Sequence, residues 1–297
     1  MSLVSLTRFR KEEASLQEAI ENSLDLIGFK FDPAAENVAI KPNLCYYWDY
    51  STGETTDPNF VGAIVDVLRM HMRPDVKISI VESDASAMNC KYVFKILGYE
   101  KLAQEKQIKL VNLTNDQSQE VTVTTANQEF RFSIPNIIRE ADILVNVPKM
   151  KYMQRCKFSG SLKNIYGCNP YPKKHKYHQK LDEAIVSLNK IMKTDICILD
   201  GIIAKGMSTR RLDLIVASTD PVAVDSTSAR IAGMNPHSIR HLRLAAEEKL
   251  GRIDSVTTGE PISYFEKIFP RKKMSHSARH LLSKVYSKVQ KTVFKQM

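Results

Sequence analysis

No apolar run in the 297-residue sequence approaches the roughly 20 residues that a membrane-spanning helix needs, so none is expected. The amino terminus shows no charged-then-apolar segment of the signal-peptide kind. Cys45, Cys90, Cys156, Cys168 and Cys197 are scattered without a pairing pattern. That argues against a disulfide scaffold and fits a reducing cytoplasm. A ferredoxin-type cysteine run is missing, so no iron–sulfur cluster is expected from this chain. A Walker loop is missing too, because Lys163 stands between Leu162 and Asn164 rather than in G-x-x-x-x-G-K-[ST]. There is no internal repeat and no long low-complexity linker. What is there is ordinary globular material, 43% hydrophobic and 26% charged, long enough for one large core with an appendage.

The net charge of +10 is not spread evenly. Residues 261–297 hold nine lysines and arginines against Glu266 alone, a net +8, which leaves the body near +2. Within this tail Leu281, Leu282, Val285, Tyr286, Val289, Val293 and Phe294 fall at helical spacing beside a stripe of Lys284, Lys288, Lys291 and Lys295. The pattern predicts a basic amphipathic helix. Through residues 275–297 it would self-associate, dock on the body or lie on an anionic membrane surface, making a cytoplasmic protein peripheral at the inner membrane face. With only Tyr286 and Phe294 available for base stacking, nucleic acid is not the expected partner.

The body alternates strand and helix. Val38–Ile40 stops at Lys41-Pro42-Asn43, and Asp57-Pro58 opens a helix through Phe60, Ile64, Val67 and Leu68 with an N-cap and a proline at its first position. Val76–Val81 repeats the strand, Tyr92–Leu102 the helix and Ile108–Leu113 the strand. Alternation around Ala126-Asn127-Gln128, between Glu120 and Ile134, predicts an inserted hairpin. Ala141–Val147 and Asp195–Leu199 are strands flanking a helix over Leu181–Met192, and Asp200-Gly201 is expected to close the second. Strand Leu212–Ala217 and helices Val222–Ile231 and Pro236–Leu250 complete the body. The expected fold is α/β, a mostly parallel sheet with helices on both faces, an inserted β-hairpin and a C-terminal basic amphipathic helix. One domain spans 1–260, alternatively two sub-lobes meeting near 140–180, followed by the 261–297 tail.

In such sheets ligands bind where strands end at their carboxyl edge. Lys41 and Asn43, Glu82 and Asp84, Lys149 and Lys151, and Asp200 each follow a strand there. The Gly/Ser turn Ser159-Gly160-Ser161 adds Lys163 and Asn164. Lysines neutralise an anion and turn amides can bind its oxygens. Lys41, Lys149, Lys151 and Lys163 are therefore the expected neutralising groups, with Asn43 and Asn164 orienting the ligand. Carboxylates move protons or hold a divalent cation. Asp200 and Asp225 are the catalytic candidates, with His178 the alternative base, and Glu82 the candidate metal ligand. Asp225, set among Val222, Ala223, Val224 and Ala229, would be buried and in need of a lysine or other donors. Cys156, Cys168, His175 and His178 are the one close clustering of soft ligands, but only His175-x-x-His178 has metal spacing. Each of these residues also has a plain reading as a turn, a cap or a solvated loop charge.

Several motifs in order resemble the domain of unknown function 362 family. They are Ile40-Lys41-Pro42-Asn43, Thr56-Asp57-Pro58, Gly98-Tyr99, Val147-Pro148-Lys149, Leu162-Lys163-Asn164 with Gly167, Leu199-Asp200-Gly201, and Asp220-Pro221-Val222-Ala223-Val224-Asp225. The resemblance runs from about Val38 to Gly251 and implies little about activity. It brings two departures. Tyr152 and Met153 follow Lys151 where the family usually has Thr and His. Ala204 to Arg211, rich in cations, replaces an acidic Gly-rich loop. The iron–sulfur module often fused to the family is absent here. The expectation is an anionic carboxylate or phosphate ligand bound at the carboxyl edge, where the same groups could also transform it. The alternative is a non-catalytic accessory protein attached through its tail.

Overall fold

The computed structural model describes residues 1–153 and 155–271. The amphipathic helix expected over 275–297 lies outside them. In chain order the elements are β1 (Ser2–Arg8), α1 (Leu16–Asp25), β2 (Asn37–Pro42), α2 (Pro58–His71), β3 (Lys77–Glu82), α3 (Cys90–Ile96), α4 (Tyr99–Glu105) and β4 (Lys109–Asn112). Next come β5 (Ser118–Thr125), β6 (Gln128–Pro135), α5 (Asn136–Arg139), β7 (Ile143–Val147), β8 (Lys149–Met153), β9 (Lys157–Ser159) and α6 (Ser161–Ile165). The body closes with α7 (Leu181–Ile191), β10 (Ile196–Lys205), β11 (Thr209–Ser218), α8 (Pro221–Ile231), α9 (Arg240–Glu247), β12 (Ser255–Gly259) and α10 (Ile262–Ile268).

One sheet runs in the order β12-β1-β11-β10-β7-β2-β3-β4, with β8 beside the far half of β10 and β9 beside β8. From β10 to β4 every neighbouring pair is parallel, and β11 alone runs antiparallel to both its neighbours. The parallel strands are buried on both faces. Along β7, Ile143, Val145 and Val147 join the core with α1 to α4, while Leu144 joins the core with α7, α8 and α9, as a period of two requires. The mostly parallel α/β sheet with helices on both faces is therefore as expected. The hairpin β5–β6 forms its own small sheet, turning through Ala126 and Asn127, both at positive φ. No helix among the described residues is long and apolar enough to cross a membrane.

Four local differences bear on the site. The helix expected over Tyr92–Leu102 is two helices, because Gly98 takes φ +81 between them. β10 does not close at Asp200-Gly201 but continues to Lys205, with its register on β11 shifting between Gly201 and Ile203. Lys149 and Lys151 stand on β8, a strand rather than a loop. Pro236–Leu250 shortens to a 3₁₀ turn and α9. Beyond residue 260, α10 buries Phe265 completely against the body, and Phe269 nearly so.

Candidate functional site

The parallel strands β10, β7, β2 and β3 deliver their carboxyl ends to one edge, and the residues expected there divide into two groups. The first group lines a cleft of about 230 Å³, with Lys41, Asn43, Glu82, Lys151, Lys163, Asn164 and His178 in its walls. The second group, Lys149, Asp200 and Asp225, is buried outside that lining.

Lys41 and Glu82, the ends of neighbouring strands, form the floor. Their side chains are almost wholly buried and meet at 2.8 Å, and Glu82 also accepts from the amides of Ser83 and Leu44. Gly167 closes over the pair, since a Cβ there would sit about 3.0 Å from the Lys41 ammonium. Glu82, the candidate metal ligand, thus has a lysine and two amides as partners. Among the described residues no group of three or more His, Cys, Asp or Glu side chains is gathered for a metal. Cys156 and Cys168 are buried in the core, where burial raises both thiols, to about 11 and about 12, while His175 and His178 are exposed at the cleft.

Above the floor runs a chain of amides. Asn164 donates to the Lys41 carbonyl at 2.9 Å and to Asn146 Oδ1 at 2.8 Å, and its own Oδ1 accepts from Asn43 at 3.2 Å. Asn43 Oδ1 in turn accepts from Lys151 Nζ at 2.9 Å, and Asn146 Nδ2 donates to the Ser161 carbonyl at 3.0 Å. The network ties α6 to β2 and β7. Asn43 and Asn164, expected to orient a ligand, line the cleft and also hold α6 and Lys151 through these bonds. Lys151 is itself anchored on the Glu54 carbonyl and pairs with the Glu54 carboxylate at 3.3 Å.

Of the four lysines that line the cleft, two make no ion pair with a carboxylate among the described residues. Lys163, half-buried on α6, holds its ammonium 6.0 Å from the centroid of the Tyr166 ring. Its pKa is lowered, first by burial and then by Lys151 and Lys41. Lys174 donates to Ser83 Oγ and the Gly167 carbonyl, and burial brings its pKa down to about 8 against the opposing pull of the Glu82 carboxylate, with Lys41 adding to the lowering. Lys174 was not singled out from sequence, because it lies in a run of lysines and histidines that reads as solvated surface. The His178 pKa is lowered by partial burial, then by Arg155, His175 and Lys163, which favours its neutral form.

The second group is paired within the core and with backbone amides. Lys149 meets Asp200 at 2.7 Å with both side chains buried, and Asp200 also accepts from the amides of Asp57 and Ile202. This buried pair locks β8, β10 and the start of α2 together. Asp225 receives the Ser161 and Leu162 amides at 2.5 and 3.0 Å, so it caps α6 and needs no lysine. Burial nevertheless raises its pKa to about 6. Gly160 is required beside it, because a Cβ at that position would overlap the carboxylate. Two further motif tyrosine and threonine groups serve the same end: the buried Tyr99 hydroxyl donates to the Thr56 carbonyl, and Thr56 Oγ1 donates to the Val147 carbonyl.

Fold and cleft together define an open α/β protein whose strand ends carry a loop-built, cation-rich site. The chain belongs to the family described as a domain of unknown function (DUF362), which it matches over residues 38–230. It is 26% identical over 264 residues to a thylakoid-associated protein of Synechocystis sp., covering 84% of this chain and 79% of that relative. Among solved structures it is similar to a lactate racemase apoprotein from Thermoanaerobacterium thermosaccharolyticum, with a TM-score of 0.53 and 12% identity. That likeness covers 79% of this chain and 58% of the racemase chain, and at such identity it is a likeness of fold.

Proposed function

We propose that the cleft binds an anionic small molecule, a carboxylate or a phosphate. The observation that carries this reading is the pair of cations, Lys163 and Lys174, that make no ion pair among the described residues and stand beside the already paired Lys41 and Lys151. Crowded, partly desolvated ammonium groups raise one another's energy, and an anion relieves that cost. Tyr166 and the cleft-facing loop at Ser86 supply the remaining polar wall. Any transformation of the ligand falls to His178 or Lys174 as proton-transfer groups, since Asp200 and Asp225 are shut away from the cleft.

The test is thermal unfolding against a panel of phosphorylated and carboxylated metabolites and nucleotides. A ligand at a hundred times its dissociation constant stabilises by about 2.7 kcal/mol, a shift of a few degrees for a chain of this size. The shift is expected to disappear in Lys163→Ala. A flat panel would contradict the reading. Peripheral membrane attachment is a second reading, supported by the relative described as thylakoid-associated and by the basic charge of residues 261–297.

A further inference from the structure

The rim of the cleft carries an unusual run of exposed aromatics. Tyr46, Tyr47 and Trp48 follow one another on the loop after β2, and all three are exposed, Trp48 at 57%. Tyr46 lines the cleft mouth and holds φ +51, a left-handed conformation that a tyrosine seldom adopts. The loop then turns at Asp49–Thr52 and is clasped by the tip of the β10–β11 hairpin. Thr209 Oγ1 donates to the Thr52 carbonyl at 2.9 Å, and Gly53 packs against Ala204 and Lys205. That tip carries Met207, 60% exposed, and the exposed Arg210 and Arg211, of which Arg211 pairs with Asp213 at 2.6 Å. The Met207 amide donates to the Pro270 carbonyl at 3.0 Å, so the chain leaves the described structure beside the same tip, at Arg271. The remaining 26 residues of sequence hold seven lysines and arginines and no acid.

We infer that this rim, the Tyr46-Tyr47-Trp48 loop together with the Met207–Arg211 hairpin tip, docks on the surface of an anionic lipid bilayer. The inference rests on the peripheral-attachment reading and is independent of what the cleft binds. Tyrosine and tryptophan place an apolar body in the acyl boundary and a polar edge in the headgroups. Arginines beside them attract anionic headgroups within a Debye length. An exposed methionine at a hairpin tip has no packing role, whereas it is an inserting group at a bilayer. The described residues end beside this tip, and the sequence that follows is basic, a second weak signal of the kind stable attachment requires. The cleft mouth then opens at the membrane surface.

Because Trp48 is the sole tryptophan, its emission reports on this face alone. The full chain is mixed with phosphatidylcholine vesicles containing phosphatidylglycerol, with pure phosphatidylcholine vesicles, and with single-stranded RNA. Binding to the anionic vesicles is expected, with a blue shift of Trp48 emission and quenching by brominated acyl chains. Met207→Asp with Arg210→Glu should weaken vesicle binding about ten-fold or more while leaving the unfolding midpoint unchanged. Vesicle binding without any change in Trp48 emission would overturn the assigned face while sparing peripheral attachment. Absence of vesicle binding, or binding to RNA in its place, would overturn both.

Discussion

At the scale of residues, the lysines that follow strand ends look alike in sequence but do different work. Lys149 is neutralised by Asp200 in the core, and removing one member of a buried pair strands the other charge. Lys149→Met is therefore expected to destabilise the fold by roughly 3–5 kcal/mol in denaturant titration. Lys163 has no such partner among the described residues, so Lys163→Ala should leave stability within about 1 kcal/mol of the parent. Lys174, lowered to about 8, gives the cleft a pH dependence. Its ammonium attracts the anion below that value and is lost above it. Affinity should fall as pH rises through about 8, and in Lys174→Met the decline should vanish. Asp225 acts on stability instead. With its folded pKa raised to about 6, the folded state holds a proton that the unfolded state has lost. Its contribution is fully present below the usual carboxylate range and is lost as pH rises to about 6, on the order of 3 kcal/mol. Comparing the pH profile of unfolding free energy with that of Asp225→Asn measures that slope.

At the scale of elements, α6 shows what sequence could and could not reveal. Ser159-Gly160-Ser161 reads as a turn, and Asp225 as a buried acid on a distant helix. That the acid caps the turn's helix depends on α8 packing against α6, a contact between residues some 64 positions apart. Gly160→Ala is expected to expel Asp225, releasing α6 and with it Lys163 and Asn164. Lost anion binding together with a lowered unfolding midpoint would register this. Strands β2, β3, β7 and β10, the caps of α2 and α8 and the hairpin were all legible, because period-two runs and Asp-Pro starts are local signals. The break at Gly98 was less so, since glycine is tolerated inside helices and only its φ shows the interruption. β1 lacks a long apolar run and pairs with β11 and β12 far along the chain. No local pattern marks it as the strand between them.

At the scale of the whole molecule, the order β10-β7-β2-β3 converts scattered lysines into one edge. That convergence was expected from the α/β rhythm alone. Which lysines would be consumed by ion pairs was not, because a side chain's partner is decided by register across strands. Asp200 faces Lys149 through the β8–β10 pairing, and β8 itself was not read as a strand. On the proposed reading the cleft, rather than the buried pairs around it, recognises an anion. Calorimetric titration of the anion that stabilises the protein most, into the parent, Lys163→Ala and Lys149→Met, tests it most directly. Lys163→Ala should lose binding at least ten-fold while Lys149→Met, wherever it remains folded, retains the parent's affinity. Undiminished binding by Lys163→Ala would contradict the account.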